Sequence, residues 1–508
     1  MRRTLAVVAC LVALLGIVPV AFAQAPAPKV TIVGLFDQVT SAGKNIYDGD
    51  FTRSSEREWY ARTRFRPDFT FEVGRTKAVL GLEIDLSYGQ MGANDGGFPG
   101  NNSGTNSGCK GGSNGCLDTN TDVGGMIEIK WIYTEFDLTG KDSLLPFIPV
   151  ATVARVGGQP YATLANYKIA YANGDFAGIS TRTTFAPNLN LALAYVQVED
   201  EIAGSNRLAR TAANRRGNDF AVIVSPEITP FKGLDIKPLY SYFYADGSTS
   251  SAARRPINNQ QGAVAPTEES RHTIGVDARW RSGPFSLDPT FYYQFGDRNQ
   301  RGAGSANISA FLADVQGGFQ LGPLLLEARA IWSSGNEAKD DLRQRVRYFE
   351  PLNLDTGFYS GWAQIFALGV DYFNGGGGAL QSFDTNVGYD RYGRRQFGFR
   401  ATYSLTPALA FYGIVSPTWT DEKVDTDTGI AAGGAARTAP VAATNGGDSR
   451  YIGTEADIGL TWRFAPNTVF DLVGAYLFAG SALDTLDASG QRDSQDGWTV
   501  AARVRLSF

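Results

Sequence analysis

Residues 56–73 read EREWYARTRFRPDFTFEV, a stretch in which charged and aromatic residues are interleaved. Taking every second position separates two sets. Glu58, Tyr60, Arg62, Arg64, Arg66, Asp68, Thr70 and Glu72 form one; Trp59, Ala61, Thr63, Phe65, Pro67, Phe69, Phe71 and Val73 form the other. Side chains of a β-strand repeat with a period of two, so the stretch predicts one long strand with a charged face and a mostly apolar face.

The same alternation recurs along the chain. In KAVLGLEIDLSY (77–88), Ala78, Leu80, Leu82, Ile84, Leu86 and Tyr88 share one face, and Lys77, Gly81, Glu83, Asp85 and Ser87 the other. RHTIGVDARWRSG (271–283) sets His272, Ile274, Val276, Ala278 and Trp280 against Arg271, Thr273, Asp277, Arg279 and Arg281. RQFGFRATYSL (395–405) and DGWTVAARVRLSF (496–508) repeat the pattern, with Arg400, Arg503 and Arg505 on their polar faces. Near Trp131–Tyr133 the parity slips by one, which predicts a bulge.

Connections between these segments come in two alternating sizes. Short turns fall at 74–77, 187–188, 231–233, 282–284, 321–323, 406–408 and 465–467. Long polar loops fall near 40–56, 91–124, 200–217, 247–270, 335–360, 421–449 and 481–496. Short turns at one end and long loops at the other predict an all-β, antiparallel, up-and-down barrel. Counting from a strand at 29–37 to one at 497–508 gives about 18 strands, with 16 or 20 as alternatives. Segment 360–392 is either a long in-folded loop or one further hairpin, which would make 20.

The first residues, MRRTLAVVACLVALLGIVPVAFA, place two arginines before an apolar run that ends in Ala21-Phe22-Ala23. They read as a secretory signal peptide over 1–23, cut after Ala23. Cys10 offers a lipoprotein site as the rival reading, but the apolar run continues well past it. The remaining 24–508 shows no linker and no window of about 20 apolar residues, the length a membrane-spanning helix needs. One barrel domain with long extracellular loops is expected. Removing Arg2 and Arg3 from 46 basic residues leaves 44 against 51 acidic ones, a net charge near −7. With no basic tract, this excludes a nucleic-acid partner. Cys109 and Cys116 flank a Gly/Ser/Asn loop of an exported chain and are expected to form a disulfide; without a nearby His they do not make a zinc site.

What lies against each face decides the function. A soluble two-sheet sandwich would bury the apolar face and hydrate the arginines. Against it stand aromatics at the ends of the apolar faces (Tyr240, Tyr242, Tyr244, Trp280, Trp462, Phe464). The last strand, Trp498 to Phe508, also has the 11-residue length of a tilted bilayer-crossing strand. In lipid the arginine face must look inward, because each Arg turned to the hydrocarbon costs ~2–4 kcal/mol at the midplane.

With signal peptide, alternating strands, short turns and a terminal RVRLSF ending in Phe508, the chain resembles the bacterial outer-membrane porins, and its Arg-rich interior is similar to alginate-export-type barrels. The resemblance implies a cell-outer-membrane location and a water-filled channel for passive diffusion of small hydrophilic solutes. It makes Phe508 the assembly signal read by the barrel-assembly machinery. Outer-membrane lipid and lipopolysaccharide would surround the barrel, a homotrimer is one assembly it admits, and no cofactor or metal is implied.

Lumen candidates are Arg62, Arg64, Arg66, Arg155, Arg279, Arg281, Arg329, Arg400, Arg463, Arg503 and Arg505, with the acids Glu83, Asp85, Asp277 and Glu327. Rows of permanently charged guanidinium forks suit the guidance of anions or carboxylates. Acids across the pore from them would set up a transverse field. Segment 335–360, with Arg343, Arg345 and Arg347, reads equally as a constriction loop and as an exposed surface loop.

Other function classes find little. The single histidine, His272, falls on the lipid-side parity rather than in a catalytic group. Glu83 and Asp85, about 7 Å apart along a strand, have the spacing of paired hydrolytic carboxylates, but a charged lumen holds such pairs routinely. NGGGGAL (374–380) lacks the Lys-Ser/Thr of a phosphate loop. The expectation is a channel and not an enzyme. A substrate-specific export or uptake barrel is the alternative, and a non-conducting scaffold or adhesin ranks below it.

Overall fold

The computed structural model describes residues 27–45, 51–52, 57–88, 116–118, 126–160, 171–172, 175–199, 219–245, 267–300, 304–340, 344–352, 362–366, 392–426, 447–487 and 490–508. The expected signal peptide and Cys109 lie outside these residues, and the Cys116 side chain is likewise not described, so the expected disulfide falls outside the description.

Long strands run in an antiparallel meander from Lys29–Lys44 to Gly497–Ser507, and 18 of them form the wall. The first strand pairs with the second, Lys29↔Glu72 to Lys44↔Arg57, and also with the last, Leu35↔Ser507 to Lys44↔Trp498. The sheet thus closes on itself and leaves no edge, which hydrocarbon requires because it cannot hydrogen-bond a free backbone. The expected count of 18 is met, and 334–393 is a connection rather than a further hairpin in the wall, since Leu324–Ser333 pairs directly with Arg394–Ser404. An eighth short-end connection, 140–150, and two loop-end connections, 161–174 and 301–303, were absent from the turn pattern read in the sequence. The first does carry turn formers, Gly140, Asp142, Ser143, Pro146 and Pro149, and was missed despite them; the last is only three residues long.

The closure seam is tightly built. Gly34 N–H donates to Phe508 O (2.9 Å) and Phe508 N–H to Gly34 O (3.0 Å). A Cβ on Gly34 would lie 2.6 Å from the Phe508 ring, so only glycine admits the terminal aromatic here. Phe36, Phe65 and Phe508 stack in sequence across the three seam strands, at 4.5 and 6.1 Å.

The apolar faces point outward and are exposed. Phe397, Phe399, Val415, Ile458, Trp462, Leu472, Phe478, Val500 and Val504 form part of a band that only lipid can cover, and Ile458, 74% exposed, stands between Gly413 and Gly474. At the loop end an aromatic girdle links Tyr195, Phe220, Tyr242, His272 and Phe295 by ring contacts of 5.0–6.3 Å. His272 belongs to this girdle and accepts or shares a hydrogen bond with Tyr240 Oη at 2.9 Å. The parity slip is a bulge: Gly81 pairs with Trp131 and Leu82 with Ile129, leaving Lys130 as the extra residue. The Trp131 ring fills the space a Cβ on Gly81 would occupy.

An outward residue replaced by arginine should weaken the barrel by its cost in lipid. Ile458→Arg is expected to lower unfolding free energy in bilayers by ~2–4 kcal/mol, read by denaturant unfolding in liposomes; an unchanged value would place Ile458 in water.

Candidate functional site

The inward faces carry ionisable residues in neighbouring-strand pairs. Asp37, fully buried, takes Arg503 Nε and Nη2 at 2.7 and 2.6 Å and Arg62 Nη2 at 3.1 Å, so a carboxylate of the first strand ties the second strand to the last. Glu83 takes Arg64 (2.9 Å), Arg66 (3.1 Å) and Lys130 (3.3 Å). Glu135 takes Arg155 (2.7 Å) and Lys77 (3.3 Å), and Glu227 takes Arg182 (2.8 Å) and Lys237 (3.4 Å). Further ion pairs are Arg279–Asp235 (2.9 Å), Arg281–Asp288, Arg329–Asp314 (2.7 Å), Arg400–Glu327 (2.6 Å) and Arg505–Asp471 (2.6 Å).

Register explains this ladder. Antiparallel partners on one face lie about 5 Å apart, so an inward Arg has an inward neighbour on each side, and the chain supplies acids there. The charges are therefore neutralised along the wall, between adjacent strands, and not across the lumen. This corrects the expectation of a transverse field.

Each lumen candidate can now be placed. Arg64, Arg66, Glu83, Arg155, Glu327, Arg329, Arg400, Arg503 and Arg505 point inward and are paired as above. Arg62 and Asp277 also point inward, but they are sealed from solvent, Asp277 accepting from Thr290 Oγ1 at 2.5 Å. Arg279 and Arg281 are exposed beside the short turn at 283–284, and Arg463 is exposed beside the turn at 466–467. Asp85 lies opposite Arg64 in the strand register. A cavity of about 830 Å³ opens at the short-turn end, with Arg155, Arg182, Lys237, Glu135 and Glu227 in its wall.

The half of the lumen nearer the long loops differs from the expectation of a charged, wet wall. There inward apolar residues are mixed with buried polar and charged ones, and loop segments pack on them. Phe349 and Tyr171, both from loops, join Leu239, Tyr292, Leu312 and Ile331 in one buried cluster. Ala363, Ile365 and Phe366, from the same long loop as Phe349, join Val39, Ala475 and Leu477 in another. The described parts of the 334–393 connection thus pack inside the barrel, on opposite parts of its wall. Arg343 lies outside the described residues; Arg345 is exposed in a short parallel pairing with Asn307, and Arg347 is half-buried.

Two sets of polar contacts fix the loop. Gln364 N–H donates to Asp457 Oδ2 (2.9 Å), Phe366 N–H to Glu455 Oε2 (3.0 Å), and Ile365 N–H to Glu455 Oε1. Further along, Gln294 Nε2 donates to Glu350 O (2.7 Å) while Glu350 N–H donates to Gln294 Oε1 (3.0 Å). Burial pushes the Tyr348 hydroxyl up to about 12, so it stays protonated at neutral pH and accepts from Arg298 Nη1 at 2.6 Å. Between these anchors Trp362 adopts φ 72°, a conformation costing a bulky residue on the order of 1–3 kcal/mol, and its ring lies 4.3 Å from the Arg400 guanidinium.

Asp37, Lys130, Glu455 and Asp457 were missed although their parity marked them as inward. Glu350 and Trp362 sit in a loop with no periodicity to read. The apolar inner wall did leave a signal: in SYFYA (241–245) and FYYQF (291–295) aromatics occupy both faces, which a strand between lipid and water has no reason to do.

No protein-family model matches the chain, and no curated protein sequence does. Among solved structures the barrel is similar to Pseudomonas aeruginosa OccK8 (OprE), at 12% identity and a TM-score of 0.47 over 95% of this chain and 98% of that one. It is also similar to a BenF-like porin from Pseudomonas fluorescens Pf-5, at 11% identity and a TM-score of 0.47 over 94% and 99%. At that level of likeness the functional reading rests on the geometry of this chain.

Asp37→Asn would leave Arg62 and Arg503 sharing a buried site without their anion. Breaking such a pair costs about 3–5 kcal/mol, so the variant is expected to unfold at clearly lower denaturant than the parent. Equal midpoints would show that the seam does not depend on this carboxylate.

Proposed function

We propose that the protein is an outer-membrane channel for passive diffusion of small hydrophilic solutes, with a preference for anions. The observation that carries this is the charge of the short-end cavity wall. Five cations, Arg75, Lys141, Arg155, Arg182 and Lys237, stand there against three acids, Glu135, Asp137 and Glu227, which leaves the cavity net positive. Guanidinium and ammonium groups already held by acids bind a passing anion weakly, which suits conduction, since a solute must leave as readily as it enters.

The in-folded loop favours a substrate-specific uptake or export barrel as the second reading over a general-diffusion pore. Contacts at Glu455, Asp457 and Gln294 narrow the passage and leave selection to whatever fits past Trp362. The same reading takes outer-membrane lipid and lipopolysaccharide as the surroundings and the barrel-assembly machinery as the partner that reads Phe508. A homotrimer stays within it.

Refolded protein in a planar bilayer should give discrete ohmic steps, and a salt gradient should give a reversal potential of the sign for anion preference. Replacing Lys130 and Arg66 by Gln is expected to move that potential toward zero. Replacing 345–366 by a short Gly/Ser linker should raise conductance. Stable insertion with no current, or cation preference in the parent chain, would contradict the proposal.

A further inference from the structure

Four ionised side chains meet behind the in-folded loop. Arg298 donates Nε to Glu269 Oε2 (2.7 Å) and Nη2 to Glu350 Oε2 (2.7 Å). Arg271 Nη1 donates to the same Glu350 oxygen (2.8 Å) and lies 3.4 Å from Glu269 Oε1. Arg271, Arg298 and Glu269 all belong to the wall, on strands Thr267–Ser282 and Phe285–Gln300. The wall's own charges leave one positive charge over, and Glu350 from the loop neutralises it.

Burial separates the clamp from its occupant. The arginine side chains are 4% and 7% exposed and Glu269 1%, whereas Glu350 is 20% exposed. Leaving a guanidinium pair buried with one carboxylate too few is strongly unfavourable, so the site must hold an anion whether or not the loop supplies it. Two planar guanidinium groups donate to one Glu350 oxygen, so the group the clamp is seen to hold is a carboxylate. The Phe243 ring, 4.8 Å from the Arg271 guanidinium, holds that fork in place. By contrast, the Gln294 contacts to Glu350 engage its backbone and are available only to a peptide.

We propose that the Arg271–Arg298 clamp is a carboxylate-binding site of the lumen, occupied here by Glu350 as an internal ligand, and that a small soluble carboxylate displaces Glu350 and frees the loop. The proposal rests on the channel reading above. Its thermodynamics are those of mass action. A carboxylate that binds only the loop-free state shifts the free-to-docked ratio by about tenfold when present at ten times its dissociation constant.

The test is single-channel recording of the full chain in sodium acetate and in sodium chloride at equal ionic strength, with Glu350→Gln and Gln294→Leu alongside. Heat-modifiable gel mobility establishes that each is folded. Acetate is expected to raise the time the parent spends in a larger-conductance state by about tenfold at that saturation. Glu350→Gln should occupy the larger state without acetate and not respond to it. Gln294→Leu, which loosens the loop backbone and leaves every charge in place, should open more readily than the parent and still respond. Equal behaviour of the parent in the two salts overturns the proposal, as does a folded Glu350→Gln that conducts like the parent. If Glu350→Gln fails to fold, the parent and Gln294→Leu still decide. Conduction without an acetate response refutes this proposal alone; insertion without conduction in either salt refutes the channel reading with it.

Discussion

The structure depends on one constraint: no ionised side chain and no unpaired backbone group can face hydrocarbon. The backbone half of the constraint closes the sheet, with Lys29–Lys44 held between Arg57–Val73 and Gly497–Ser507. The side-chain half turns the arginines of the strand interiors inward, where antiparallel register brings them beside acids on the next strand; Arg395, on the outward parity, sits near the loop end of its strand and pairs with Asp421. Asp37 serves both halves, since the carboxylate that neutralises Arg62 and Arg503 sits where the barrel closes. Closure and charge are settled together there.

Inside, a second demand takes over. A lumen lined wholly by charge would be wide and wet, but this one is filled over its loop half by the chain's own loops. Loop segments must bury apolar side chains to stay, and the wall provides Tyr292, Leu312 and Ile331 on one side and Val39, Ala475 and Leu477 on another. Their backbone groups must be satisfied as well, which Glu455, Asp457 and Gln294 accomplish. The two halves of the wall therefore differ, the short-turn half carrying ion pairs and the loop half adding the apolar residues on which the loops pack.

How much of this the sequence disclosed follows from what periodicity can encode. The strand at 57–73, the parity of Arg62, Arg64 and Arg66, and the bulge near Trp131 were legible because each strand has only two faces, and lipid permits charge on one. The ion-pair partners were legible in type but not in place, since neighbouring-strand register depends on where each turn sits and on bulges such as the one at Lys130. The folded-in loop was half legible. Segment 335–360 stood out as long and charged, yet nothing in it announces that Glu350 meets Arg271 and Arg298, 79 and 52 residues away. Contacts of that range belong to the tertiary fold alone.

The most direct test of the account is the orientation of the 61–66 segment in lipid. In a chain with Cys109 and Cys116 replaced by serine, single cysteines are placed in turn at positions 61 to 66 of the bilayer-embedded barrel and challenged with a water-soluble thiol reagent. The account predicts protection at 61, 63 and 65, with reaction from the lumen at 64 and 66, faster at 66 than at the more buried 64. Reaction at the odd positions and protection at 64 and 66 would mean that the arginines face outward, and the account would fail.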